Sequence, residues 1–408
     1  MDKDKLLTES KTFCMAPWVH IHTSPIGDVG PCCISKGRFS NSLENNLNGI
    51  VNAEGMKMLR QDMINGIENP ACSTCYEHEK QGIKSFRNWM NERYGGYLYY
   101  SLANTRKDGT LDNFKMRYFD IRFNNICNFK CRTCNSSFSS QWEQEDLRRK
   151  VPWARILPRN NKKEFLDEVL AQVPYMEFAY FAGGEPLITE EHYTLLEEMI
   201  RLGKTNITLK YNSNVSNLKF KDKDILDLWS KFKNPIDMSA SVDHFGKKAE
   251  YIRHGTKWNE IEQNLQKLQT VPNIILHINA VISIFNYASF SEFVSHMYNA
   301  GILNTVGGDV LHTYNMVSPE HITAQALPED IKEKAKTKIL SEVSKIPLPG
   351  WQINQLIARL TKNIEWVESV NSWDQHKEQF RKEVEELDLI RGEKFAETFP
   401  ELESLLHD

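Results

Sequence analysis

The stretch MRYFDIRFNNICNFKCRTC, residues 116–134, joins a strand-like segment to a loop with three closely spaced cysteines. Its first half, MRYFDIRF, is rich in hydrophobic and aromatic residues and predicts a β-strand. Cys127, Cys131 and Cys134 then follow in a CxxxCxxC pattern. Three thiolates in one loop can bind three irons of a cubane cluster and leave the fourth iron without a protein ligand. An open metal position is typical of catalytic rather than structural sites.

Two other interpretations of this cysteine loop, a zinc site and an electron-transfer cluster, fit its spacing less well. A structural zinc ion prefers four ligands, and no fourth ligand is evident near the loop in the sequence. A simple electron carrier would normally use four cysteines for each cluster. The spacing therefore favours a catalytic iron–sulfur cluster.

Strand-like and helix-like segments alternate from residue 113 to residue 318. Repeated β–α units imply parallel strands with helical crossovers, and so an α/β barrel or a doubly wound sheet. In both folds ligands bind at the carboxyl ends of strands, which is where the polar motifs of this region occur. The segment EEHYTLLEEMIRLG predicts an amphipathic helix with Leu195, Leu196, Met199 and Ile200 on one face. The predicted strands are MRYFDIRF, MEFAYFA, ITLKYNSN, IDMSASVD, IILHINAVISI and NTVGGDVLHT.

The two flanking regions differ from this middle region. Residues 1–112 contain five of the eight cysteines and little apolar material for a separate core, so a bound metal would add cohesion. A helix near residues 53–64 is predicted by the spacing of its apolar residues. Residues 319–408 hold 18 Asp and Glu against 12 Lys and Arg and predict acidic helices. We expect these helices to form a solvated extension, with a surface for a partner or substrate as the alternative.

The N-terminal cysteines occur in three places: Cys14, the pair Cys32 and Cys33, and the CxxC of Cys72 and Cys75. The segments WVHIHTSP and DVGPCC predict a hairpin whose turn lies at residues 25–28. A hairpin and a later CxxC can bring four sulfurs to one centre, which suits either zinc or an iron–sulfur cluster.

Three histidines near these cysteines are alternative metal ligands. His20 and His22 alternate along one predicted strand, and His78 follows the CxxC. We expect an ordinary structural role for each of them.

Composition limits the classes of function. The net charge of −4 gives no sign of a surface that binds polyanions, although a local basic patch would not show in the total. No apolar run approaches the roughly 18 residues that a membrane span needs, and the charged N-terminus lacks the apolar stretch of a signal peptide. We therefore expect a cytoplasmic protein, where closely spaced cysteines usually indicate metal or redox chemistry.

The middle region resembles the radical S-adenosylmethionine superfamily, on its CxxxCxxC loop and on the GGEP that follows the second predicted strand. The resemblance implies a partial (β/α)6 TIM-like barrel, a 4Fe–4S cluster on Cys127, Cys131 and Cys134, and S-adenosylmethionine bound to that cluster. It also implies reductive cleavage of S-adenosylmethionine to a 5′-deoxyadenosyl radical, which abstracts hydrogen from a substrate. Thr133 stands where the family commonly has an aromatic residue that helps to hold adenine.

The same resemblance assigns cofactor contacts to the ends of the strands. GGEP would contact the methionyl amino group, and Arg253 would pair with the methionyl carboxylate, which suits a guanidinium. No catalytic acid or base is assigned, although Asp309, His312 and Tyr314 stand near a strand end. The residues expected to bind S-adenosylmethionine are Gly183, Gly184, Glu185, Pro186, Asn212, Asn214, Ser241, Asp243, Arg253 and Ile282.

The N-terminal region resembles the SPASM module, or its shorter twitch relative, on its Cys…GxVxPC…CxxC pattern. That module usually follows the barrel, whereas here it precedes it. The resemblance implies a second, auxiliary 4Fe–4S cluster rather than zinc, with Cys33 as the alternative to Cys32. The expected domains are the auxiliary-cluster module at 1–112, the barrel at 113–318 and the helical region at 319–408. The expected ligands are Cys14, Cys32, Cys72 and Cys75.

Relatives with such a module often modify peptides, and others oxidise small molecules. The resemblance therefore implies oxidative or crosslinking modification of a peptide or small molecule, with an external electron donor such as flavodoxin or ferredoxin. Modification of a nucleotide or RNA is an alternative that needs a basic stripe, for which Lys36, Arg38, Lys84 and Arg87 are the candidates. A non-enzymatic iron–sulfur or zinc protein is the third possibility.

Overall fold

A computed structural model describes residues 5–151, 163–303 and 311–407. Within these ranges the chain forms a mixed α/β structure. The strands are β1 (His20–Thr23), β2 (Asp28–Gly30), β3 (Ser40–Asn41), β4 (Tyr118–Ile121), β5 (Phe178–Phe181), β6 (Thr208–Ser213), β7 (Lys219–Phe220), β8 (Lys223–Asp224), β9 (Ile236–Ser241), β10 (Ile274–Ile282) and β11 (Leu311–Asn315).

The helices carry most of the described chain between these strands and beyond them. The helices are α1 (Ala16–Val19), α2 (Leu47–Val51), α3 (Glu54–Asn65), α4 (Ser73–Lys80), α5 (Phe86–Tyr94), α6 (Leu98–Ala103), α7 (Ser140–Arg148), α8 (Lys163–Leu170), α9 (Glu190–Arg201), α10 (Ile225–Trp229), α11 (Gly246–Ile252), α12 (Trp258–Gln269), α13 (Phe290–Asn299), α14 (Glu329–Val343), α15 (Gly350–Glu368), α16 (Trp373–Arg391) and α17 (Phe395–Thr398).

The chain divides into two compact units. Unit 1 contains the described residues of 5–126, 163–210 and 226–234. Unit 2 contains those of 127–151, 211–225, 235–303 and 311–407. Both units are discontinuous in sequence, and the five N-terminal cysteines lie in unit 1 while the CxxxCxxC loop lies in unit 2.

Unit 1 contains a mixed sheet. Strand β1 pairs in parallel with β4, and β4 pairs in parallel with β5. On its other side β1 pairs with β2, and β2 with β3, both antiparallel. The predicted hairpin is therefore confirmed, and its Cys-rich segment continues the same sheet as the strand MRYFDIRF.

Unit 2 contains three parallel strands. Strand β9 pairs with β10, and β10 pairs with β11. Burial alternates along β10 from Leu276 to Ile282, because successive side chains of a strand point to opposite faces. The predicted parallel α/β arrangement is thus present, while residues 304–310 of the predicted strand NTVGGDVLHT, including Asp309, lie outside the described residues.

Two of the predicted helices illustrate how the local pattern determines the element. Helix α9 buries Leu195, Leu196 and Met199, as its apolar spacing predicts. Helix α3 buries Met56, Leu59 and Met63 and ends at Gly66, which adopts the left-handed conformation (φ +75°) that glycine tolerates best. Among the residues that the structure describes, no helix is both long and apolar enough to cross a membrane.

Candidate metal centres and cofactor site

Four thiols of unit 1 line one cavity. They belong to Cys14, Cys32, Cys72 and Cys75. Cys14 lies two residues before the start of α1, and Cys32 follows β2. Cys72 ends a short turn whose start is capped by the Asn69 side chain, which accepts a hydrogen bond from Ala71 N. The hairpin and the CxxC therefore meet, as the spacing predicted.

The environment of Cys14, Cys32 and Cys72 raises the pKa of each thiol and so favours the neutral form until a metal replaces the proton. Burial raises the pKa of Cys14 and Cys32, and the nearby cysteine thiols raise it further. Burial, together with Cys75, raises the pKa of Cys72 to about 12. Because iron binds thiolates, cluster assembly here must release protons.

Cys33 has a different environment from Cys32. It is not among the residues that line the four-thiol cavity. Burial and the neighbouring Asp120 carboxylate raise its pKa to about 11, against the opposing charge of Arg122. The placement of Cys32 in the cavity favours it over Cys33 as a ligand.

Arg87 lines the same cavity and fixes the backbone around Cys14. Its Nη1 donates to the carbonyl oxygens of Ser10 (3.0 Å) and Phe13 (2.9 Å), and its guanidinium forms an ion pair with Glu79. The two lysines proposed together with Arg87 for a basic stripe also have acidic neighbours. Lys36 lies 3.9 Å from Glu77, and Lys84 lies 2.6 Å from Glu92. Acidic groups therefore offset three of the four charges that the alternative of an RNA substrate would need.

The loop of Cys127, Cys131 and Cys134 lies in unit 2 and is fixed at several points. Cys127 Sγ accepts a hydrogen bond from Phe129 N (3.4 Å), and Cys134 N donates to Cys131 O (3.0 Å). Burial raises the pKa of Cys131, and burial with the Cys131 thiol raises the pKa of Cys134 to about 12. Gly255 (φ +108°) runs beside the loop, where an added Cβ would come within 2.9 Å of Asn128 O. In the part of the chain that is described, no three His, Cys, Asp or Glu side chains converge tightly enough for a single-ion site.

Arg253 stands next to this loop. Its Nη1 lies 3.9 Å from Cys131 Sγ, and its Nε lies 2.8 Å from Asp243 Oδ2. Burial disfavours the charged guanidinium, but Asp243 and Cys131 raise the pKa of Arg253 above its usual value. Asp243 Oδ1 also accepts a hydrogen bond from Val281 N (2.8 Å), so this carboxylate is held by β10 as well as by Arg253. A fixed cation thus lies beside the second cysteine of the loop.

The polar turn after β6 is joined to the cysteine loop. Asn214 Nδ2 donates to Asn128 Oδ1 (3.0 Å), and Asn128 Nδ2 donates to Ser216 Oγ (2.9 Å). Asn212 lies within β6 and is half-buried. Of the other expected cofactor residues in unit 2, Ser241 ends β9 and the buried Ile282 ends β10.

GGEP lies in unit 1 and packs against the residue that precedes the first loop cysteine. Glu185 N donates to Ile126 O (2.8 Å), and a Cβ on Gly184 would overlap that same carbonyl. Only glycine permits this approach. The Glu185 carboxylate accepts a hydrogen bond from Leu187 N (3.0 Å) and so caps the short turn that begins at Pro186.

One buried polar group was missed by sequence reasoning. His22 Nδ1 lies 2.8 Å from Asp120 Oδ2, and Arg122 Nε lies 3.5 Å from the other oxygen of that carboxylate. Burial raises the pKa of Asp120, but Arg122 and His22 outweigh it and lower that pKa overall. The alternation of His20 and His22 was visible in the sequence. Their partner was not, because it depends on the parallel pairing of β1 with β4.

Comparison with known proteins gave one family match and several structural likenesses. Residues 14–76 match SPASM, an iron–sulfur cluster-binding domain. No curated protein matches the chain at a significant level. The predicted SPASM-like module is confirmed by the family match, and the four cavity-lining thiols all lie within the matched residues.

Solved structures resemble the chain at low identity. Native anSMEcpe with bound AdoMet and a Cp18Cys peptide is 14% identical, with 53% of this chain and 56% of that chain covered and a TM-score of 0.36. Streptococcus suis SuiB bound to the precursor peptide SuiA is 13% identical, with 80% and 64% covered and a TM-score of 0.36. TYW1 with a lysine–pyruvate adduct is 16% identical, with 55% and 71% covered and a TM-score of 0.29.

The chain spans just over half the length of anSMEcpe and slightly less than two thirds of SuiB. The firm assignment is the one carried by the family match and by the cysteines inside it. Residues 14–76 of this chain are similar to SPASM, an iron–sulfur cluster-binding domain.

Proposed function

We propose that the chain is a radical S-adenosylmethionine enzyme built on a partial (β/α)6 barrel. The observation that carries the proposal is the loop of Cys127, Cys131 and Cys134, which presents three thiols beside the fixed cation of Arg253. Three thiol ligands leave one iron of a cubane cluster open to a small molecule. The polar turn at Asn214 is hydrogen-bonded to this loop through Asn128.

The residues present suit that cofactor chemically. When bound, a 4Fe–4S cluster with S-adenosylmethionine supplies a 5′-deoxyadenosyl radical, which abstracts hydrogen from a substrate. Arg253 provides a guanidinium for the methionyl carboxylate, while Asp243 keeps that guanidinium oriented. Ser241 and Ile282 stand at strand ends, where ribose and adenine would contact them. GGEP would contact the methionyl amino group through its backbone.

The SPASM domain would bind an auxiliary 4Fe–4S cluster through Cys14, Cys32, Cys72 and Cys75. These four thiols line one cavity, whereas Cys33 does not line it. An auxiliary cluster of this kind would accept an electron from the substrate radical or bind the substrate directly. An external donor such as flavodoxin or ferredoxin would reduce the first cluster.

The proposed reaction is oxidative or crosslinking modification of a peptide or small molecule. This substrate class follows from the resemblance of the module to those of peptide-modifying relatives, and the fold alone does not fix it. The acidic partners of Lys36, Lys84 and Arg87 argue against the alternative of an RNA substrate.

Anaerobic reconstitution tests the proposal. We expect about eight irons per wild-type chain, since each 4Fe–4S cluster contributes four. Replacement of Cys127, Cys131 and Cys134 by alanine should leave about four irons and abolish formation of 5′-deoxyadenosine from S-adenosylmethionine. Wild-type protein that carries both clusters, accepts electrons from dithionite and forms no 5′-deoxyadenosine would contradict the proposal and favour an electron carrier.

A further inference from the structure

The CxxxCxxC loop is held by residues far from it in sequence. Lys130 N donates to His254 O (2.9 Å), and Arg132 N donates to Ile252 O (2.7 Å). These two bonds fasten the loop backbone to the end of α11. They hold one side of the loop. The charged side chains of the loop make a second set of contacts, with the C-terminal region.

Arg132 lies between the second and third cysteines, and its side chain is only 1% exposed. Its Nη2 lies 2.5 Å from Asp388 Oδ1 and 2.7 Å from Glu393 Oε2. Its guanidinium lies over the Tyr251 ring, 3.7 Å from the ring centroid. A buried guanidinium is costly unless it is paired, so this loop conformation depends on carboxylates from the C-terminal region.

The two carboxylates are themselves fixed. Tyr251 Oη donates to Asp388 Oδ1 (2.7 Å), and Asp388 Oδ2 accepts a hydrogen bond from Phe395 N (2.7 Å). His254 Nδ1 lies 2.5 Å from Glu393 Oε1. The loop, the end of α11, and α16 with the turn after it therefore share one partly buried network.

A second buried charge cluster joins α16 to the same loop. Glu145 lies 2.6 Å from Lys130 Nζ and 2.7 Å from Arg391 Nη2. The side chains of Glu145 and Arg391 are 2% and 0% exposed. Arg391 also lies 4.8 Å from the ring centroid of Trp142, whose Nε1 donates to Cys131 O (3.0 Å). Both the second cysteine and the lysine before it are thus linked to α16.

Apolar packing keeps α16 in place. Phe380, Val384 and Leu387 are buried along one face of the helix, and Phe395 packs edge-on against Phe380 with ring centroids 5.6 Å apart. The acidic C-terminal segment was expected to be a solvated extension. That expectation was wrong for α16, since its apolar face and several of its charges are buried.

We infer that α16 and the turn after it, residues 373–393, hold the CxxxCxxC loop in its ligating conformation before iron binds. Asp388 and Glu393 are positioning residues for this loop. The inference rests on the proposed function in one respect, which is that the loop binds an iron–sulfur cluster. The support itself is a property of the cluster-free chain.

Hydrogen–deuterium exchange of the full-length, cluster-free protein tests this inference. In the double variant Asp388→Asn with Glu393→Gln we expect peptides covering residues 127–139 to exchange at least about tenfold faster than in wild type, because Arg132 loses both ionised partners. Exchange in β10 should stay unchanged. The matched control is Glu397→Gln, which removes an exposed ion pair with Lys394 close to the same turn and should leave the loop unchanged. Wild-type exchange of the loop in the double variant would overturn the inference.

Two further measurements keep the test decisive. If β10 also exchanges faster in the double variant, the single variant Glu393→Gln decides by the same criterion, since it retains Asp388 on Arg132. In reconstituted protein the double variant should load the loop cluster more slowly than the auxiliary cluster of the same molecule, as followed by electron paramagnetic resonance. If wild type binds no cluster at the loop, the proposed function is wrong. The exchange measurement still tests whether α16 and the turn after it hold the loop.

Discussion

The four thiols of unit 1 and the three thiols of unit 2 differ in their surroundings. In unit 1 the thiols line a cavity between a hairpin and a CxxC, and Arg87 ties the backbone near Cys14. In unit 2 they share one loop, with Arg253 beside Cys131 and ionic supports from α16. Under the proposed function, the thiols of unit 1 would supply a complete set of ligands for a cluster. Those of unit 2 would leave one position open, with a cation beside it. The comparison would then separate a cluster that stabilises the fold from one that can bind a small molecule.

The largest expected effect follows from that difference. Cys72→Ala with Cys75→Ala should lower the thermal unfolding temperature of the reconstituted protein far more than Cys131→Ala with Cys134→Ala. The binding free energy of a metal centre whose ligands come from separate segments contributes directly to folding. Calorimetry of the two double variants, each with its iron content measured, checks this prediction. Equal losses of stability would show that the loop cluster is as structural as the auxiliary cluster.

A second expected effect concerns the pH dependence of stability that arises from two of the buried histidines, His192 and His244. Burial lowers the pKa of His192 in unit 1 and of His244 in unit 2, in each case to about 3. His244 Nδ1 accepts a hydrogen bond from Phe245 N (2.9 Å), which protonation would break. The unfolded chain binds a proton below about pH 6.5, whereas the folded chain does not until about pH 3. Stability should therefore fall as the pH falls through this window, by about 1.4 kcal/mol per pH unit for each histidine.

Urea unfolding between pH 7 and pH 4 checks this dependence. His244→Asn should flatten the slope of the unfolding free energy against pH, because the titrating group is gone. The control His407→Asn replaces an exposed histidine and should retain the wild-type slope. A slope that is the same in wild type and in His244→Asn would rule out this contribution in unit 2.

Much of unit 1 and unit 2 was predictable because it depends on local patterns. The hairpin followed from a turn between two apolar segments, and α3 and α9 followed from helical spacing. The cysteine groups were recognisable because ligand spacing is itself local. These features need only a few neighbouring residues, so the sequence records them directly.

The contacts that hold the site residues in place were not predictable, because they join residues far apart in the sequence. The pairing of β1 with β4 joins residues almost one hundred positions apart, and Arg132 meets Asp388 across 256 positions. Neither leaves a periodic pattern, because a single ion pair requires only two residues. The N-terminal region was expected to have too little apolar material for a separate core. It does not need a separate core, because β1 and β4 belong to one sheet in which Ile21 and Phe119 are both buried.

A smaller effect should follow from a steric change within unit 1. Gly184→Ala would drive a Cβ into the Ile126 carbonyl, so the backbone before Cys127 must move. We expect a loss of roughly 1–3 kcal/mol in unfolding free energy, which is usual for an overpacked site. Gly96→Ala is the control, since nothing lies within 4 Å of the added Cβ there. Urea unfolding of both variants checks the prediction, and equal stabilities would place GGEP in a looser turn than the structure gives.

The smallest effect is expected at Cys33 and gives the sharpest view of the unit 1 centre. Cys33→Ser should leave the iron content and the auxiliary-cluster spectrum unchanged, because this residue does not line the four-thiol cavity. Cys32→Ser should lose that cluster, although the two residues are adjacent and the substitution is the same. Iron analysis and electron paramagnetic resonance of the two variants compare them directly. If Cys33→Ser lost the cluster and Cys32→Ser kept it, Cys33 rather than Cys32 would be the fourth ligand of the unit 1 cluster. That ligand would then be the thiol whose pKa is raised by the charge of Asp120.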